Sequence, residues 1–367
     1  MRPEAAVTGV DVLALRVPTV APEADGTATW DATGVVVVHV HGGGRTGLGW
    51  SYADEAAAGV VRRLLAPVVL GGDVMDVPGA HEAMRRALRN VGLPGIGATA
   101  LSAVDIALWD LKARCCELPL AALLGRVVPE VAVYGSGGFT SESEGELRDQ
   151  VAGWVQGDGI PRVKIKIGES WGRAQARDLR RAAIAREAAG PDAELMVDAN
   201  GGYRAGQARR VEAALRDLRV TWFEEPVSSD DLAGLAAVRA SSSADVAAGE
   251  YGWTAASFAA LLAADAVDCL QADVTRCGGI TGWRRAATLA AAAGRDVSAH
   301  GAPQLAAHVA CSVPNARHLE WFADHVRLES LLFDGVLTPT GGALRPDPAR
   351  AGHGMALRAA DAARFAA

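Results

Sequence analysis

The second half of the chain carries short apolar segments that recur at a regular interval and end in charged or polar residues. Each is followed by a stretch rich in Ala, Arg and Leu, which is typical of a helix. Asp198 and Glu224 are 26 residues apart, and so are Glu224 and Glu250, which indicates a repeating strand–helix unit. The predicted strands cover residues 131–136, 162–167, 194–199, 221–225, 246–250, 269–274, 296–299 and 318–321. Eight such units predict a closed parallel sheet, a TIM-type (β/α) barrel.

The first part of the chain predicts a separate α+β domain. Residues 7–17 and 34–41 are predicted strands, and the polar segment Pro18–Asp31 between them is predicted to be a mobile loop. Helical patterns follow at 52–66, 80–90 and 98–115. Strands followed by helices do not continue a barrel repeat. We therefore divide the chain into an α+β capping domain (1–126), a barrel (127–330) and a Gly/Pro-rich C-terminal segment (331–367) that returns to the capping domain.

The composition excludes several classes of function. The chain has 367 residues, half of them apolar, and a formal net charge of −7, so a basic nucleic-acid-binding face is not expected. The longest apolar stretch, 255–270, contains Asp265 and Asp268 and is too short to span a bilayer. The N-terminal residues lack a signal-peptide pattern. Five cysteines without a framework spacing predict reduced thiols in a cytoplasmic protein. Taken together, these observations predict a protein that binds neither nucleic acid nor membrane.

Two lysines in the second barrel unit indicate a polar site inside the barrel. Lys164 and Lys166 in VKIKIG are two residues apart, so in a strand they point to one side, opposite the neighbouring Val and Ile side chains. An edge strand of an open sheet, with one face exposed to water, is the alternative explanation. The flanking strand–helix repeat favours the barrel, however, whose outer face is covered by helices. The lysines would then face inward, where an uncompensated charge is costly and usually functional.

Carboxylates follow the next three strands. The third, fourth and fifth units end MVDANGGY, WFEEPV and AAGEY and supply Asp198, Glu224 or Glu225, and Glu250. A single such residue is more often a cap or a surface residue. Three in consecutive units converge on one end of a barrel and repel one another unless a cation is present. Oxygen ligands suit a hard ion, so we expect Mg²⁺, and the absence of a His/Cys set argues against zinc.

The last three barrel units add further polar residues. The sixth supplies Asp273, the seventh His300 and the eighth Glu320, which is flanked by Trp321 and Phe322. A lone His at a strand end is more often structural, and Glu320 could belong to a structural ion pair. An Asp on the adjacent strand changes this interpretation, because it can fix the tautomer of His300 and raise its basicity.

These motifs together resemble the enolase superfamily, and within it the mandelate racemase group. The resemblance begins at ALSAVDIALWDLKARCCELPLAALLG (100–125) and covers nearly the whole chain. It continues through VKIKIG, VDANGGY, WFEEP, GE, ADVTRCGGITGW and SAH to LEW. It implies the modified (β/α)7β form of the barrel with a capping domain.

The resemblance also implies a role for each residue. Asp198, Glu224 and Glu250 are similar to Mg²⁺ ligands of the family. Strand parity alone does not choose between Glu224 and Glu225, and the resemblance favours the first Glu of the EEP motif. Lys166 is similar to one acid/base catalyst, and Lys164 to the lysine that lowers its neighbour's pKa and contacts the substrate carboxylate.

The remaining implied roles concern the opposite side of the site and its cover. His300 with Asp273 is similar to a second acid/base catalyst, and Glu320 to a protonated hydrogen-bond donor. Asn200 is expected to contact the substrate or support the site. The segments 18–31 and 42–52 are expected to close over the substrate, and their aromatic residues are candidate substrate contacts: Trp30, Trp50 and Tyr52.

The expected reaction starts with removal of the proton next to a carboxylate. Its conjugate base carries a second negative charge on the carboxylate oxygens, which a divalent cation stabilises as it develops. Dehydration of a sugar acid to a 2-keto-3-deoxy acid is the leading hypothesis. Racemisation, epimerisation or cycloisomerisation of a lactone shares the first step, and a non-catalytic binding or regulatory protein is the alternative from another class. The expected partners are a small-molecule carboxylate and further copies of the chain in a homo-oligomer.

Overall fold

The computed structural model describes residues 5–367. The strands are β1 (Val7–Ala24), β2 (Thr29–Gly42), β3 (Arg45–Tyr52), β4 (Val131–Gly137), β5 (Arg162–Lys166), β6 (Glu194–Asp198), β7 (Val220–Glu224), β8 (Asp245–Ala248), β9 (Cys269–Ala272), β10 (Asp296–Ala299), β11 (Ala316–Phe322), β12 (Phe333–Asp334), β13 (Ala343–Leu344) and β14 (Ala356–Leu357). The α-helices are α1 (Ala56–Val60), α2 (Ala66–Val69), α3 (Val77–Ala87), α4 (Ile96–Cys115), α5 (Leu120–Leu123), α6 (Glu144–Ala152), α7 (Glu169–Gly172), α8 (Gln175–Ala189), α9 (Ala205–Leu215), α10 (Leu232–Arg239), α11 (Ala255–Ala263), α12 (Gly279–Ala292), α13 (Pro303–Ala310), α14 (Ala323–Leu332) and α15 (Ala359–Ala362).

Strands β4 to β11 form the predicted barrel. They pair in parallel in sequence order, and β11 pairs with β4 to close the sheet. Seven helical crossovers join the eight strands, so the predicted fold class is confirmed. Below the site the barrel is filled by side chains from five strands: Tyr134, Met196, Trp222, Ala247 and Cys269. It is therefore a packed core whose polar residues lie at the carboxyl ends of the strands.

Strands β1, β2 and β3 form an antiparallel sheet that packs on the long helix α4. Two glycines of β3 allow this close approach. A Cβ atom at Gly47 would lie 2.1 Å from the carbonyl oxygen of Ala107, and one at Gly49 would lie 2.2 Å from that of Ala103. The strand therefore lies directly on the helix backbone, a distance that only glycine permits.

The two segments that were expected to close over the substrate are largely strand. The segment Pro18–Asp31 belongs to β1 and β2, whose pairing continues to Ala24 opposite Thr29, and only residues 25–28 form the tip of the hairpin. A register shift between Pro18 and Glu23 accommodates the prolines, which cannot donate to a ladder. Most of 42–52 is likewise strand β3, paired along its length with β2. Cross-strand pairing stabilises both segments despite their loop-like composition.

The C-terminal segment contacts both parts of the molecule. Strand β13 pairs with β4 of the barrel, and the amide of Ala367 donates to the carbonyl of Ala14 in β1. His353 binds the buried carboxylate of Asp110 in α4 through its amide, at 2.9 Å. The exact boundaries at 126/127 and 330/331 stay a prediction. In the described range 5–367, no helix combines the length and the apolar character needed to cross a membrane.

Candidate active site

Three buried carboxylates converge at the carboxyl end of the barrel. Asp198 ends β6, Glu224 ends β7, and Glu250 follows β8 by two residues. One oxygen of each lies within 4.8 Å of those of the other two. Strand parity left open whether Glu224 or Glu225 joins this cluster, and in the structure it is Glu224. The neighbouring Glu225 has a φ of +35° and is not part of the cluster.

This donor set fits a hard divalent cation. All three ligand atoms are carboxylate oxygens, which Mg²⁺ prefers, and their mutual repulsion in a buried site favours a bound positive charge. Neighbouring groups orient two of the carboxylates. The indole Nε1 of Trp222 donates to Oε2 of Glu224 at 2.9 Å, and the amide of Asn200 donates to Oδ1 of Asp198 at 2.8 Å. Such contacts behind the ligands fix their direction and raise metal affinity.

Both lysines of β5 reach this cluster. The Nζ atom of Lys164 lies 2.5 Å from Oε1 of Glu224 and 2.8 Å from Oε1 of Glu320. The Nζ atom of Lys166 lies 2.5 Å from Oδ2 of Asp198. Burial lowers the pKa of Lys166 and the nearby Lys164 lowers it further, as expected, but the carboxylates of Asp198, Glu250 and Glu224 together raise it more. The net pKa is therefore raised, and the prediction of a depressed value is wrong for this arrangement.

His300 lies on the other side of the cluster. Its Nδ1 atom is 2.9 Å from Oδ2 of Asp273, and its Nε2 atom is 3.1 Å from Oε2 of Glu250. The amide and the hydroxyl of Thr275 both donate to the other oxygen of Asp273 at 2.7 Å, which holds that carboxylate in place. Burial lowers the pKa of His300, whereas Glu250 and Glu320 raise it, with a net value of about 10.

Glu320 accepts hydrogen bonds in the structure. The hydroxyl of Ser136 donates to it at 2.6 Å and the amide of Gly301 at 2.8 Å, in addition to its ion pair with Lys164. Burial raises the pKa of Glu320, but Lys164 and His300 lower it more, so the ionised form is favoured. The expectation of a protonated donor is therefore wrong here, because the cationic neighbours outweigh desolvation.

The hairpin of the capping domain reaches the barrel opening. The carbonyl of Asp25 accepts from the hydroxyl of Thr140 at 2.7 Å, and the carbonyl of Gly26 accepts from the amide of Trp171 at 2.9 Å. A Cβ atom at Gly26 would lie 2.6 Å from the carbonyl oxygen of Ala199, next to Asp198. The tip of segment 18–31 therefore lies against the ends of β5 and β6.

Trp30 is connected to the site through aromatic contacts. Its ring meets that of Phe139 edge-on at 5.7 Å, and Phe139 meets Phe322 in the same way. The Nζ atom of Lys166 lies 5.9 Å from the centre of the Phe322 ring. The indole Nε1 of Trp30 donates to Glu23 at 2.9 Å. Trp30 thus reaches the site only through these rings and does not contact Asp198, Glu224 or Glu250.

The other two aromatic candidates, Trp50 and Tyr52, pack against other side chains of the protein. Trp50 is 0% exposed and stacks on Phe333 at 4.3 Å in the core, so the structure does not bring it to the site. The expectation that Trp50 contacts substrate is corrected, because β3 directs this side chain inward. Tyr52 stacks on His325 and its hydroxyl donates to Glu329 at 3.1 Å.

Three further polar residues at the site were missed by the sequence analysis. Ser136 lies one residue before the end of β4, and its hydroxyl donates to Glu320. The guanidinium of Arg276 lies 3.3 Å from both Glu250 and Asp273. The Nδ1 atom of His325 accepts from the amide of Ala302, which leaves its proton on Nε2. The position of Arg276 within DVTRCGG was the one available signal.

Comparisons with known proteins agree along the whole chain. Residues 8–125 match the mandelate racemase/muconate lactonizing enzyme N-terminal domain, and residues 146–362 match the enolase C-terminal domain-like family. The structure of a mandelate racemase/muconate lactonizing enzyme-like protein from Rubrobacter xylanophilus superposes with a TM-score of 0.95 at 48% identity, covering 99% of this chain and 100% of that one.

Two relatives carry activities in their names. A 3,6-anhydro-α-L-galactonate cycloisomerase of Streptomyces coelicolor is 33% identical over 318 residues, 86% of each chain. An L-talarate/galactarate dehydratase of Salmonella typhimurium is 32% identical over 285 residues, 76% of this chain and 71% of that one. The structure of that dehydratase with Mg and L-lyxarohydroxamate superposes with a TM-score of 0.90 at 27% identity, covering 100% of this chain and 94% of the other.

Proposed function

Because the chain belongs to the mandelate racemase/muconate lactonizing enzyme family of the enolase superfamily, we propose that it is a Mg²⁺-dependent dehydratase of a sugar acid. The observation that carries the proposal is the placement of two proton-transfer groups around one carboxylate cluster. Lys166 contacts the cluster at Asp198, and His300 contacts it at Glu250. A substrate bound there would lie between two groups able to move protons, as elimination of water requires.

We assign the metal to Asp198, Glu224 and Glu250. When bound, Mg²⁺ would stabilise the second negative charge that develops on the substrate carboxylate as the α-proton leaves. Lys164, fully buried between Glu224 and Glu320, supplies a fixed positive charge beside the same carboxylate. Its environment keeps it protonated, because Glu224 and Glu320 raise its pKa more than burial lowers it.

The proton transfers fall to Lys166 and His300. One of them, after losing its own proton to solvent, takes the α-proton, and the other, in its protonated form, gives a proton to the β-hydroxyl, whose C–O bond breaks to release water. The enol that remains tautomerises to a 2-keto-3-deoxy acid. Asp273 holds His300 in one tautomer and orientation. Glu320 acts in this scheme as a positioning residue, because its carboxylate binds Lys164 and the amide of Gly301.

A panel of sugar acids incubated with the protein and Mg²⁺ tests the proposal. We expect a 2-keto-3-deoxy acid to form from at least one of them, detected by the α-keto group and by NMR. The dehydratases among the relatives support the substrate class. Formation of an epimer without keto acid would contradict dehydration.

Cycloisomerisation is the second candidate, favoured by the 33% identity to a cycloisomerase. It uses the same α-proton chemistry, but the leaving group is the ring oxygen of a lactone or anhydro sugar, and no water is released. Racemisation or epimerisation would need each base to serve one face of the substrate. Incubation with sugar lactones, followed by NMR, separates these reactions from dehydration because their products are isomers of the substrate.

We further propose a homo-oligomer in the cytoplasm, with the domain division at 126 and 330. Apolar side chains exposed on the single chain, among them Val20 and Val91, support burial against another copy. Five unpaired cysteines support a reducing compartment. Light scattering would measure the mass in solution, and a monomer would contradict the first proposal. Cell fractionation tests the second proposal, and limited proteolysis tests the domain division.

A further inference from the structure

His325 lies in the first turn of the helix that follows the last barrel strand. Strand β11 ends at Phe322 and helix α14 begins at Ala323, so this histidine stands at the carboxyl end of the barrel, with the other site residues. It is only 4% exposed, and none of the roles proposed above uses it. A buried histidine in this place either fills space or belongs to the substrate site, and its hydrogen bonds distinguish the two.

The hydrogen bonding of the ring makes His325 a donor. Its Nδ1 atom accepts from the amide of Ala302 at 2.9 Å. Burial lowers the pKa of His325 to about 4, although Asp324 and Asp273 act in the opposite direction, so the imidazole is neutral at pH 7. A neutral imidazole that accepts through one nitrogen carries its proton on the other. His325 therefore presents an uncharged N–H donor at Nε2.

This donor atom is open to a ligand. Within residues 5–367 no group bonds Nε2 of His325, yet the atom is not enclosed by protein. Both ring nitrogens of His308, by contrast, are enclosed without a partner, as expected of a residue that only fills space. The small accessible part of His325 therefore includes Nε2. A donor that borders accessible space is satisfied by water or by an oxygen atom of a ligand.

Two aromatic residues hold the ring of His325 in one orientation. The ring of Tyr52 stacks on it with centroids 3.4 Å apart and planes 8° apart. The ring of Phe322 meets it edge-on at 4.9 Å. A donor that is fixed before the ligand arrives loses little conformational entropy on binding, so its hydrogen bond contributes more to affinity and to specificity.

The neighbours of this ring place it beside both proton-transfer groups. The centre of the Phe322 ring lies 5.9 Å from the Nζ atom of Lys166. On the other side, a Cβ atom at Gly301 would lie 2.8 Å from the ring of His325 and 3.6 Å from Oδ2 of Asp273, the oxygen that binds the proton-transfer histidine. The ring thus packs directly on the backbone next to that histidine. The space at Nε2 therefore adjoins the position of the reacting substrate.

We propose that His325 binds the substrate by donating from Nε2 to one of its hydroxyl oxygens and is a further specificity-determining residue of the site. The inference rests on the proposed function for the substrate being a sugar acid. An uncharged donor suits a hydroxyl group, because the substrate carboxylate is already matched by the proposed metal site and by Lys164. Tyr52 is the positioning residue that holds the ring.

Replacement of His325 tests the hydrogen bond. His325→Phe keeps an aromatic ring against Tyr52 but has no donor, so kcat/KM for the sugar acid that is turned over fastest should fall about 10- to 100-fold. His325→Gln should recover a large part of this loss, because its amide nitrogen can donate from nearly the same place. His41→Phe, at a partly exposed histidine that binds Asp11 in the capping domain, is the control and should be unaffected. Equal losses in His325→Phe and His325→Gln would overturn the hydrogen-bond role.

Binding of deoxy analogues separates a contact with the substrate from a packing role. Calorimetry with Lys166→Ala protein and Mg²⁺ measures affinity without turnover, for the sugar acid and for each of its monodeoxy analogues. Adding His325→Phe should weaken binding of the sugar acid about 10-fold, but should change by less than about 3-fold the binding of the one analogue that lacks the contacted hydroxyl. Equal weakening for every analogue would assign the ring to packing alone and overturn the proposal.

The two measurements also separate this proposal from the proposed function. If gluconate, galactonate and galactarate are not turned over but one of them binds and responds to His325→Phe as expected, the proposed function fails and the assignment of His325 stands. If turnover and binding are both unchanged in His325→Phe, the assignment is wrong and the proposed function stands. A panel in which no sugar acid binds would overturn both.

Discussion

The Nδ1 atom of His300 lies 2.9 Å from the Oδ2 atom of Asp273, and this contact fixes which imidazole nitrogen faces the carboxylate cluster. We expect Asp273→Asn to lower kcat by about 10²–10⁴-fold, because an amide can stabilise the wrong tautomer. Mg²⁺ affinity should change little, since Asp273 is not among the proposed ligands. Thr275→Val, which removes one hydrogen bond to Asp273, should cost less activity. Steady-state rates and metal titration check both, and equal losses in the two variants would contradict the tautomer argument.

Removal of the divalent cation should abolish activity. Chelation followed by dialysis is expected to give inactive protein, and Mg²⁺ should restore the rate, with Mn²⁺ as a substitute. Asp198→Asn should weaken Mg²⁺ binding at least 10-fold by calorimetry, because it removes one of three charged ligands. Asp217→Asn, at an exposed position in the turn before β7 at the opposite end of the strand from Glu224, serves as the control. Full activity of metal-free protein would refute the mechanism.

Much of the barrel could be predicted because its repeat is local. Each strand is a short apolar run, and parallel closure alone brings the residues after consecutive strands to one end. For this reason the sequence alone could predict that Asp198, Glu224 and Glu250 lie at the same end of the barrel. The sequence could not decide between Glu224 and Glu225, since adjacent residues at a strand end both have access to the opening. In the fold an oxygen of Glu224 lies near those of Asp198 and Glu250, and the backbone is left-handed at Glu225.

The capping domain was harder to predict because its strands depend on distant partners. Residues 18–24 look like a loop, yet they pair with β2, and Trp50 looks available, yet it packs on Phe333. The ionisation states were also missed. The pKa values depend on which charged groups lie close together, such as Lys166 with Asp198 and Lys164 with Glu320. The sequence does not specify the distances between these side chains.

The position of Gly26 in the hairpin tip gives a prediction about closure of the site. Gly26→Val should raise KM about 10-fold or more, because its Cβ would lie 2.6 Å from the carbonyl oxygen of Ala199 and would push the hairpin away from the barrel. Mg²⁺ binding should persist, since the ligands belong to the barrel. Gly153→Ala is a control with no atom within 4 Å of the added Cβ. Unchanged KM in Gly26→Val would exclude a role for the hairpin in substrate binding.

Glu329 gives a prediction about stability and pH. Burial raises the pKa of Glu329 to about 8, despite the hydrogen bond from Tyr52. The folded protein thus keeps a proton that the unfolded chain loses near pH 4.5, so its free energy of unfolding should fall as the pH rises from about 5 to 8. Glu329→Gln should remove this part of the pH dependence in urea titrations, whereas the exposed Glu187→Gln should retain it. Parallel pH profiles for Glu329→Gln and the parent protein would contradict the raised pKa.

Lys166 and His300 come from the second and seventh strands of the barrel and contact different carboxylates of one cluster, so replacing each separately should distinguish the possible reactions. In a dehydratase the two roles are unequal. One of Lys166→Ala and His300→Asn should lose α-proton exchange in D₂O together with product formation. The other should form product at least 100-fold more slowly and still exchange the α-proton, because the intermediate forms and returns. Lys112→Ala, in the capping domain, should retain both activities. NMR follows deuterium incorporation and the 2-keto-3-deoxy acid in the same sample.

In a racemase each variant would instead exchange one enantiomer through the remaining base. Enantiomer-specific exchange in both variants, with no keto acid from the parent protein, would therefore replace dehydration by racemisation.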